Sequence, residues 1–293
     1  MTISLALACI FSTTFSTVAE AVGATKTKVY YYSTVHDVQH EIIGTYHPGR
    51  RNQPWVVTIH GGSWKHGDTS SVTNAALLFS RNGYVVFNLG YPLLNSPSVT
   101  WHDIRQALND ELGWIRAHAG AFGINPRRGA AYGFSAGGHL ALELGLAGDG
   151  DHGIRAVVSV SGVVQPRRVA DDALGKRPTT EPATSYNQYL YGVEKEAVGC
   201  DDTYDDPTCN AAWADFSPQT EISPHDPAVL MFAGTEDPVV PYQSNGAMAY
   251  LLRRQGVSAS YVYVSGLGHT SRTALDDGRR QARMLKFVAT ATK

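Results

Sequence analysis

Short apolar runs alternate with amphipathic segments along most of the chain, and this alternation is typical of a parallel sheet covered by helices. The runs VVTI at 56–59 and VVSV at 157–160 are apolar at successive positions, which predicts strands buried on both faces. No long helical pattern separates the first two runs, so we expect the sheet to start antiparallel. The eight predicted strands span residues 29–32, 41–46, 55–60, 84–89, 129–133, 156–161, 228–233 and 260–264.

Longer segments with a helical period lie between the later strands. A helix predicted over 101–118 places four apolar side chains on one face. These side chains are Ile104, Leu108, Leu112 and Ile115. The segment after residue 135 is apolar nearly all round, which predicts a buried, central helix, and helices over 243–255 and 278–292 complete the set. The pattern predicts an α/β fold with a mostly parallel, eight-stranded sheet flanked by helices.

Residues 163–227 break this rhythm. They contain many Pro, Asp, Thr and Tyr residues with little periodicity, so we expect little regular structure there. A long irregular segment inside a compact domain is usually functional, as in a lid over an active site. Because sheets of this class often form one domain, we interpret residues 22–293 as a single domain with a lid-like insertion over 163–227.

The composition is that of a globular protein. Of 293 residues, 43% are hydrophobic and 17% are charged, and 24 basic residues balance 26 acidic ones. These values exclude the disordered, fibrous and integral-membrane classes. Since no Lys/Arg cluster and no further membrane-length apolar run is present, we expect no nucleic-acid partner and no integral membrane association. An enzyme or a binding protein with a small-molecule partner remains.

The N-terminal segment is apolar and carries no charge before Glu20. Residues 19–21 read A-E-A, which places small residues at the spacing of a signal-peptidase site. The segment lacks a basic n-region, so a frayed, apolar terminus is the alternative. We interpret residues 1–21 as a signal peptide and expect the protein to be secreted.

Cysteine usage agrees with export. Cys9 would leave with the leader, and the mature chain would keep only Cys200 and Cys209. An even pair this close in an oxidising compartment predicts a disulfide that closes a short loop. Two unrelated thiols in a cytosolic loop are the alternative. A zinc site would need more ligands, and the mature chain holds no further cysteine to supply them.

The clearest chemical signal lies at 133–137, where G-F-S-A-G forms a G-x-S-x-G motif between a predicted strand and a predicted helix. A sharp turn from strand to helix exposes the central hydroxyl, and the flanking glycines remove side chains that would clash. The helix N-terminus adds a positive field that favours a developing oxyanion. We predict Ser135 as a nucleophile; an ordinary glycine-rich start of a helix is the plainer interpretation.

A nucleophilic serine needs a base and an orienting acid within hydrogen-bond reach. Asp237 and His269 each follow a later predicted strand, which gives the chain order Ser, acid, His. Glu236 is the fallback for the acid. In this hypothesis His269 takes the proton of Ser135 and Asp237 fixes the imidazole tautomer, so that an acyl-enzyme forms and is hydrolysed by water.

Residues 60–64 read H-G-G-S-W and follow the third predicted strand. The glycines allow a tight turn that aims N–H groups at a substrate carbonyl. We assign the amides of Gly62, Ser63 and Ala136 to an oxyanion hole. Trp64 is expected to wall the substrate pocket beside this loop. A plain Gly-Gly turn is the alternative.

Together these segments resemble the α/β-hydrolase superfamily, in particular its serine esterases with an HGGxW oxyanion motif. That branch includes hormone-sensitive-lipase-like esterases, feruloyl-esterase-like enzymes and kynurenine formamidases. The resemblance runs from about residue 55 to the C-terminus and rests on HGGSW, GINPRR, GFSAGGHLA, GTEDPVVP and GLGHT. It implies the α/β-hydrolase fold, the triad named above, and oxyanion amides at Gly62 and Ser63. We expect no cofactor.

The chain departs from that branch at two positions. Phe134 replaces an acidic residue that is common there, and we place Phe134 in the substrate pocket. Ser63 stands where many relatives have a third glycine, which keeps the amide but can reshape the acyl pocket.

Other polar and aromatic clusters are interpreted as structural. His40 and Glu41 begin an H-E-x-x-H pattern that Gly44 ends, so we expect no metal site. The aspartates within 201–206 lack EF-hand spacing and indicate a solvated loop. His139 is expected to be a packed helix residue, not a catalytic one. The aromatic residues of the insertion either line a cleft or pin the insertion to the body: Tyr186, Tyr189, Tyr191, Trp213 and Phe216.

Three functions fit the sequence. The first is a secreted serine carboxylic-ester hydrolase acting on short-chain or small aromatic esters. The second is an arylformamidase-type amidase, an intracellular role that export argues against. The third is a non-catalytic, hydrolase-fold binding protein, and such proteins usually lack a triad member.

Overall fold

The computed structural model of the chain describes residues 25–35, 38–95, 98–147, 152–176, 184–201 and 205–293. The interpretation of residues 1–21 as a signal peptide, with Cys9 inside it, concerns residues outside these ranges and stays a prediction.

Eight strands form one sheet in the order β1-β2-β4-β3-β5-β6-β7-β8. The pairs β1–β2 and β2–β4 are antiparallel, and every later pair is parallel. The predicted mostly parallel sheet with an antiparallel start is therefore confirmed. The strands are β1 (Lys26–Val35), β2 (Val38–Tyr46), β3 (Gln53–Ile59), β4 (Val85–Leu89), β5 (Ile124–Phe134), β6 (Ile154–Val160), β7 (Ala228–Gly234) and β8 (Ala259–Val264).

Helices cover both faces of the sheet. Successive residues of β3 face opposite sides, so that Val57 belongs to the core shared with α2 and α4, and Val56 to the core shared with α1 and α10. Every residue of α4 is buried, as predicted for the central helix. The helices are α1 (Thr73–Arg81), α2 (Trp101–Ala117), α3 (Ala119–Phe122), α4 (Ala136–Leu146), α5 (Pro166–Ala173), α6 (Ser185–Val198), α7 (Pro207–Asp215), α8 (Gln243–Arg254), α9 (Arg272–Leu275) and α10 (Gly278–Ala291), with 3-10 turns at Thr69–Val72 and Pro218–Thr220.

The expectation of little regular structure over 163–227 is wrong, because α5, α6 and α7 lie in this insertion. Local capping explains two of these helices. The Thr184 hydroxyl accepts the amide of Asn187 at the start of α6, and Asp206 caps α7, whose first residue is Pro207. The capping residues are polar, so a search for hydrophobic periodicity does not detect these helix starts.

A disulfide joins Cys200 and Cys209 between α6 and α7, with their Cα atoms 5.9 Å apart. The predicted pairing is present, and it closes a loop of nine residue steps inside the insertion.

A partly buried charge cluster attaches the insertion to the body. The Arg105 guanidinium in α2 contacts the carboxylates of Glu143 in α4 and Asp215 in α7, each at 2.8 Å. Trp101 Nε1 donates to Asp215 at 3.1 Å. Burial raises the pKa of Glu143 to about 7, although the Arg105 charge opposes this shift.

Candidate active site

Four parallel strands end at the same edge of the sheet, and the predicted reactive residues follow them. The loop at 60–64 follows β3, Ser135 follows β5, Asp237 lies beyond β7, and His269 lies beyond β8. In open α/β sheets this carboxyl edge is where sites assemble. The topology therefore brings together segments that lie more than a hundred residues apart in the chain.

Ser135 sits at a strained turn between β5 and α4. Its φ is 57° and its ψ is −124°, a conformation that L-residues rarely adopt. Three hydrogen bonds hold the turn: Ser135 N–H donates to Val160 O at 2.9 Å, and Ser135 O accepts from the amides of Gly138 and His139 at 2.8 and 3.2 Å. A Cβ at Gly137 would come within 2.2 Å of Ile59 O, so only glycine fits there. The sharp turn presents the hydroxyl beyond the sheet edge.

The His269 ring lies between Ser135 and Asp237. Its Nε2 is 2.8 Å from Ser135 Oγ, and its Nδ1 is 2.8 Å from Asp237 Oδ2. The Asp237 carboxylate is 1% exposed and the His269 ring 18%. Since a carboxylate oxygen can only accept, Nδ1 carries the proton and Nε2 is left to accept from the serine hydroxyl.

Backbone amides fix the Asp237 carboxylate. Oδ1 accepts from the amides of Val239 and Val240, both at 2.9 Å, which leaves Oδ2 for the imidazole. The fallback acid, Glu236, is exposed, and its backbone amide donates to Leu267 O at 3.0 Å. The structure therefore brings Asp237, and not Glu236, to His269, and the Glu236 backbone ties the two loops together.

The loop at 60–64 packs against the serine turn. A Cβ on Gly61 would lie 2.7 Å from Phe134 O and 3.0 Å from Ser135 Cβ, which shows how closely the two loops approach. Gly62 O accepts from the amides of Lys65 and His66, at 3.0 and 2.9 Å. The Gly62 carbonyl is thus occupied by hydrogen bonds within the loop itself.

Ser63 and Trp64 both have positive φ, at 52° and 55°. Such left-handed conformations cost about 1–2 kcal/mol per non-glycine residue, so the surrounding structure must enforce them. Within the part of the chain that the structure describes, the amides of Gly62, Ser63 and Ala136 donate to no other group. Free amides beside the serine are what an oxyanion site needs.

The expectation that Trp64 walls the substrate pocket is not what the structure shows, because its side chain is fully buried. The indole packs edge-on against His139 and Phe216, with ring centroids 5.2 Å apart in both pairs. His139 is equally buried, as expected for a packed helix residue. The sequence analysis missed that these side chains join the serine helix, the loop at 60–64 and the insertion.

Phe134 and His60 lie against the reactive residues. The half-buried Phe134 ring is tilted over the His269 ring at 5.2 Å, and its place in a substrate pocket stays a prediction. His60 Nδ1 is 2.8 Å from Gly61 O, and its ring stacks on Tyr91 at 4.3 Å. Burial lowers the pKa of His60, which keeps this ring neutral and suits a role in shaping the loop.

Helix α6 of the insertion is tied to two of the site loops. Thr184 Oγ1 donates to Pro238 O at 2.6 Å, and Lys65 Nζ lies 2.6 Å from Glu196 Oε2. Sequence reasoning missed both contacts, because each joins residues far apart in the chain with no local signal. Of the insertion aromatics, Trp213 and Phe216 are buried and pin the insertion to the body, and Tyr191 stacks on Trp213. Tyr186 and Tyr189 are exposed, and a cleft-lining role for them stays a prediction.

No metal centre is evident in the described ranges, which hold no group of three or more ligand side chains. The side chains of His36 and His40 lie outside what the structure describes. In the acidic loop, Asp206 caps α7 and Asp201 pairs with Lys195. Among the described helices, none is long and apolar enough to cross a bilayer.

The sheet order, the serine turn and the hydrogen-bonded Ser, His and Asp side chains define this chain as an α/β-hydrolase. The BD-FAE family model matches residues 44–252. The chain therefore belongs to the BD-FAE family, whose matched segment contains Ser135 and Asp237.

Two curated relatives come from Mycobacterium tuberculosis. Esterase LipC is 27% identical over an alignment of 231 residues that covers 74% of this chain and 52% of LipC. A probable carboxylic ester hydrolase, LipM, is 24% identical over an alignment of 219 residues that covers 69% of this chain and 45% of LipM. The chain thus spans about half the length of the curated relatives it matches.

Solved structures share the fold. Est2 of Thermogutta terrifontis phosphonylated by sarin has a TM-score of 0.70 at 20% identity, over 93% of this chain and 94% of Est2. An inhibited esterase B from Lactobacillus rhamnosis has a TM-score of 0.72 at 18% identity, over 94% of this chain and 89% of that one. These likenesses confirm the predicted α/β-hydrolase fold.

Proposed function

We propose that this protein is a secreted serine carboxylic-ester hydrolase that acts through Ser135, His269 and Asp237. The observation that carries the proposal is the His269 ring, with one nitrogen 2.8 Å from the Ser135 hydroxyl and the other 2.8 Å from the Asp237 carboxylate. Membership of the BD-FAE family and two curated relatives named as esterases support ester hydrolysis.

In the proposed mechanism Ser135 Oγ attacks the ester carbonyl carbon while His269 Nε2 takes the hydroxyl proton. The carbonyl oxygen becomes an oxyanion, which the amides of Gly62, Ser63 and Ala136 stabilise, each by about 3–4 kcal/mol. The imidazolium then protonates the departing alcohol and leaves an acyl-enzyme. Water, deprotonated by His269, attacks the acyl-enzyme, and the proton returns to Ser135 as the acid leaves.

The Asp237 carboxylate stabilises the imidazolium that forms in each half of this cycle. Two loop amides hold its other oxygen, so the carboxylate needs little rearrangement as charge develops. The N-terminus of α4 follows Ser135 directly and adds a positive dipole end near the oxyanion.

For the substrate we propose esters with short acyl chains or small aromatic groups. The apolar face of α6, with Leu190 and Val193, is buried in the core and is not free to line a long acyl groove. Est2 of Thermogutta terrifontis has been solved with butyrate and with propionate bound. We expect p-nitrophenyl acetate and butyrate to turn over faster than the octanoate and laurate esters; a maximum at laurate would contradict this proposal.

The proposal of secretion rests on the N-terminal sequence and on the disulfide. Residues 1–21 have the pattern of a signal peptide, and the Cys200–Cys209 disulfide suits an oxidising compartment. To test secretion, cells that express the full chain are separated into cytoplasmic, periplasmic and extracellular fractions. We expect the exported protein to begin at residue 22 by N-terminal sequencing, and retention of the intact leader in the cytoplasm would contradict it.

The nucleophile is tested by a fluorophosphonate probe followed by peptide mapping. We expect the label on Ser135, and Ser135→Ala should lower ester turnover by more than about 10⁴-fold with the fold intact. Ser80→Ala is a matched control, because Ser80 and Ser135 are both 7% exposed but Ser80 lies in α1. Retention of more than a few per cent of the activity in Ser135→Ala would contradict the assignment of Ser135 as the nucleophile. Faster cleavage of N-formylkynurenine than of p-nitrophenyl acetate would favour an arylformamidase instead.

A further inference from the structure

His139 lies at a junction of three parts of the molecule. Its backbone amide donates to Ser135 O at 3.2 Å, so the residue is fixed to the serine turn. Its ring Nε2 is 2.9 Å from Phe216 O in the insertion. The Trp64 indole, which follows the Ser63 amide, packs edge-on against the ring at an interplanar angle of 87°.

The chemistry of the imidazole follows from its partners. Because Phe216 O is a carbonyl acceptor, Nε2 of His139 carries the proton, and Nδ1 has no hydrogen-bond partner in the described ranges. Burial lowers the pKa of His139 to about 3, so the ring stays neutral. A neutral ring with its one N–H committed is suited to holding a position and not to moving protons.

The loop beside this ring needs such a support. The left-handed conformations of Ser63 and Trp64 do not persist without contacts that enforce them. Trp64 is anchored by burial between His139 and Phe216, and Leu94 N–H donates to Trp64 O at 2.9 Å. The orientation of the Ser63 amide is therefore set by the position of the Trp64 side chain.

The insertion side of the junction is also held firmly. Asp215, next to Phe216, accepts from Trp101 and Arg105, and the Arg105 guanidinium also donates to Asp215 O at 3.0 Å. The His139–Phe216 hydrogen bond thus joins a fixed part of the insertion to the helix that carries Ser135.

We propose that His139 is a positioning residue: by donating to Phe216 O and packing on Trp64, it sets the Ser63 amide at the distance from Ser135 that transition-state binding requires. This inference goes beyond the proposed ester hydrolysis and rests on it for its kinetic readout. The residue acts on kcat through the oxyanion site and touches neither substrate nor proton.

A pair of amide variants separates the hydrogen bond from burial. Glutamine at 139 can place its NH2 where Nε2 lies, whereas asparagine is too short to reach Phe216 O. We expect His139→Gln to keep kcat within about 3-fold and His139→Asn to lower it by about 10-fold or more, with KM within about 3-fold in both. Leu144→Ala is a control for lost stability, since Leu144 is also buried and lies in the same helix as His139.

A trifluoromethyl ketone gives a second readout. Addition of Ser135 Oγ to its carbonyl carbon makes a hemiketal oxyanion, and the proton passes to His269. If His139 positions the oxyanion amides, His139→Asn should weaken this inhibitor by the same factor as kcat, and Leu144→Ala should not. Equal kcat values for the two His139 variants, or an inhibitor affinity unchanged in His139→Asn, would overturn the proposal.

Further measurements cover variants that do not fold and a failure of the proposed function. Trp64→Phe removes the same packing from the other side, and its kcat loss should not add to that of His139→Asn; additive losses would contradict the proposal.

If wild-type protein takes no fluorophosphonate label on Ser135, the hydrolase function fails separately. The junction is then read by NMR: we expect a neutral Nε2–H tautomer at His139 down to about pH 5 and a Trp64 indole shift that moves in His139→Asn but not in Leu144→Ala. A titrating His139 or an unmoved Trp64 signal would refute it.

Discussion

Replacing Asp237 by asparagine is expected to reverse the tautomer of His269. The amides of Val239 and Val240 both donate to Asp237 Oδ1 at 2.9 Å. In Asp237→Asn the amide oxygen must stay at this position, because an NH2 group there would face two N–H donors. The NH2 group then faces His269 Nδ1 and donates to it. The ring proton moves to Nε2, which can no longer accept the proton of Ser135.

The size of the effect follows from the lost base. In the serine-protease template the same exchange of aspartate for asparagine lowers kcat by about 10⁴-fold with the geometry intact. That factor corresponds to about 5.4 kcal/mol of transition-state stabilisation at 1.36 kcal/mol per decade. Because both loop amides keep an acceptor, we expect the thermal unfolding midpoint of Asp237→Asn to stay close to that of the wild type.

The assay is steady-state hydrolysis of p-nitrophenyl acetate, with the fold checked by circular dichroism. Glu236→Gln is the matched control, since it neutralises the adjacent, exposed carboxylate in the same loop and should keep kcat within about 2-fold. A loss below about 100-fold in Asp237→Asn would refute the tautomer reasoning. An equal loss in Glu236→Gln would show that the loop charge, and not the Asp237 hydrogen bond, supports the base.

Three further predictions concern the insertion and its attachment. The double variant Cys200→Ser with Cys209→Ser should lower the free energy of unfolding by up to about 2.7 kcal/mol, the loop-closure entropy for about ten residues. Urea unfolding under non-reducing conditions measures this loss. No change would mean that the unfolded loop is already constrained. Glu143, with its pKa raised to about 7 when folded, is stabilising in its protonated form. Wild-type stability should therefore fall relative to that of Glu143→Gln by up to about 3 kcal/mol as pH rises from about 4.5 to 7. Parallel pH profiles of the two proteins would contradict this. Thr184→Ala removes the N-cap of α6 and the hydrogen bond to Pro238 O. We expect it to lower the free energy of unfolding, measured by thermal unfolding, by about 1–2 kcal/mol. A loss below about 0.3 kcal/mol would count against both contacts.

The sheet and the order of the reactive residues could be predicted from the sequence for one physical reason. Strands buried on both faces read as continuous apolar runs, and parallel strands all end at one edge. Residues that follow several such strands must therefore meet, however far apart they lie in the chain. Ser135, Asp237 and His269 each follow a run of this kind, and the structure brings them into hydrogen-bond contact.

The helices of the insertion could not be predicted in the same way. The buried face of α6 includes Leu190, Val193 and also Glu194, whose carboxyl is fully buried. Burial raises the pKa of Glu194 well above its usual range, which favours the neutral acid. A search for hydrophobic periodicity counts Glu194 as polar and therefore misses the buried face of α6. The protonated side chain is nevertheless tolerated in the core.

The wrong expectation for Trp64 has a related cause. Its place beside the Ser63 amide is visible in the sequence, but the direction of its side chain depends on φ angles that only the folded environment enforces. The structure turns the indole inward onto Phe216, a residue 152 positions later in the numbering. Local sequence can therefore indicate a candidate oxyanion amide without showing what orients it.

The role of the insertion depends on which groups its side chains contact. A lid that only covers the substrate would change KM and selectivity when altered, because its contacts are made in the ground state. Here Phe216 of the insertion contacts both Trp64, which belongs to the loop at 60–64, and His139, whose helix begins at the serine turn. Changes in the insertion should therefore also reach kcat, through amides that contribute only as the oxyanion forms. The insertion is therefore expected to support the predicted reactive groups through Phe216.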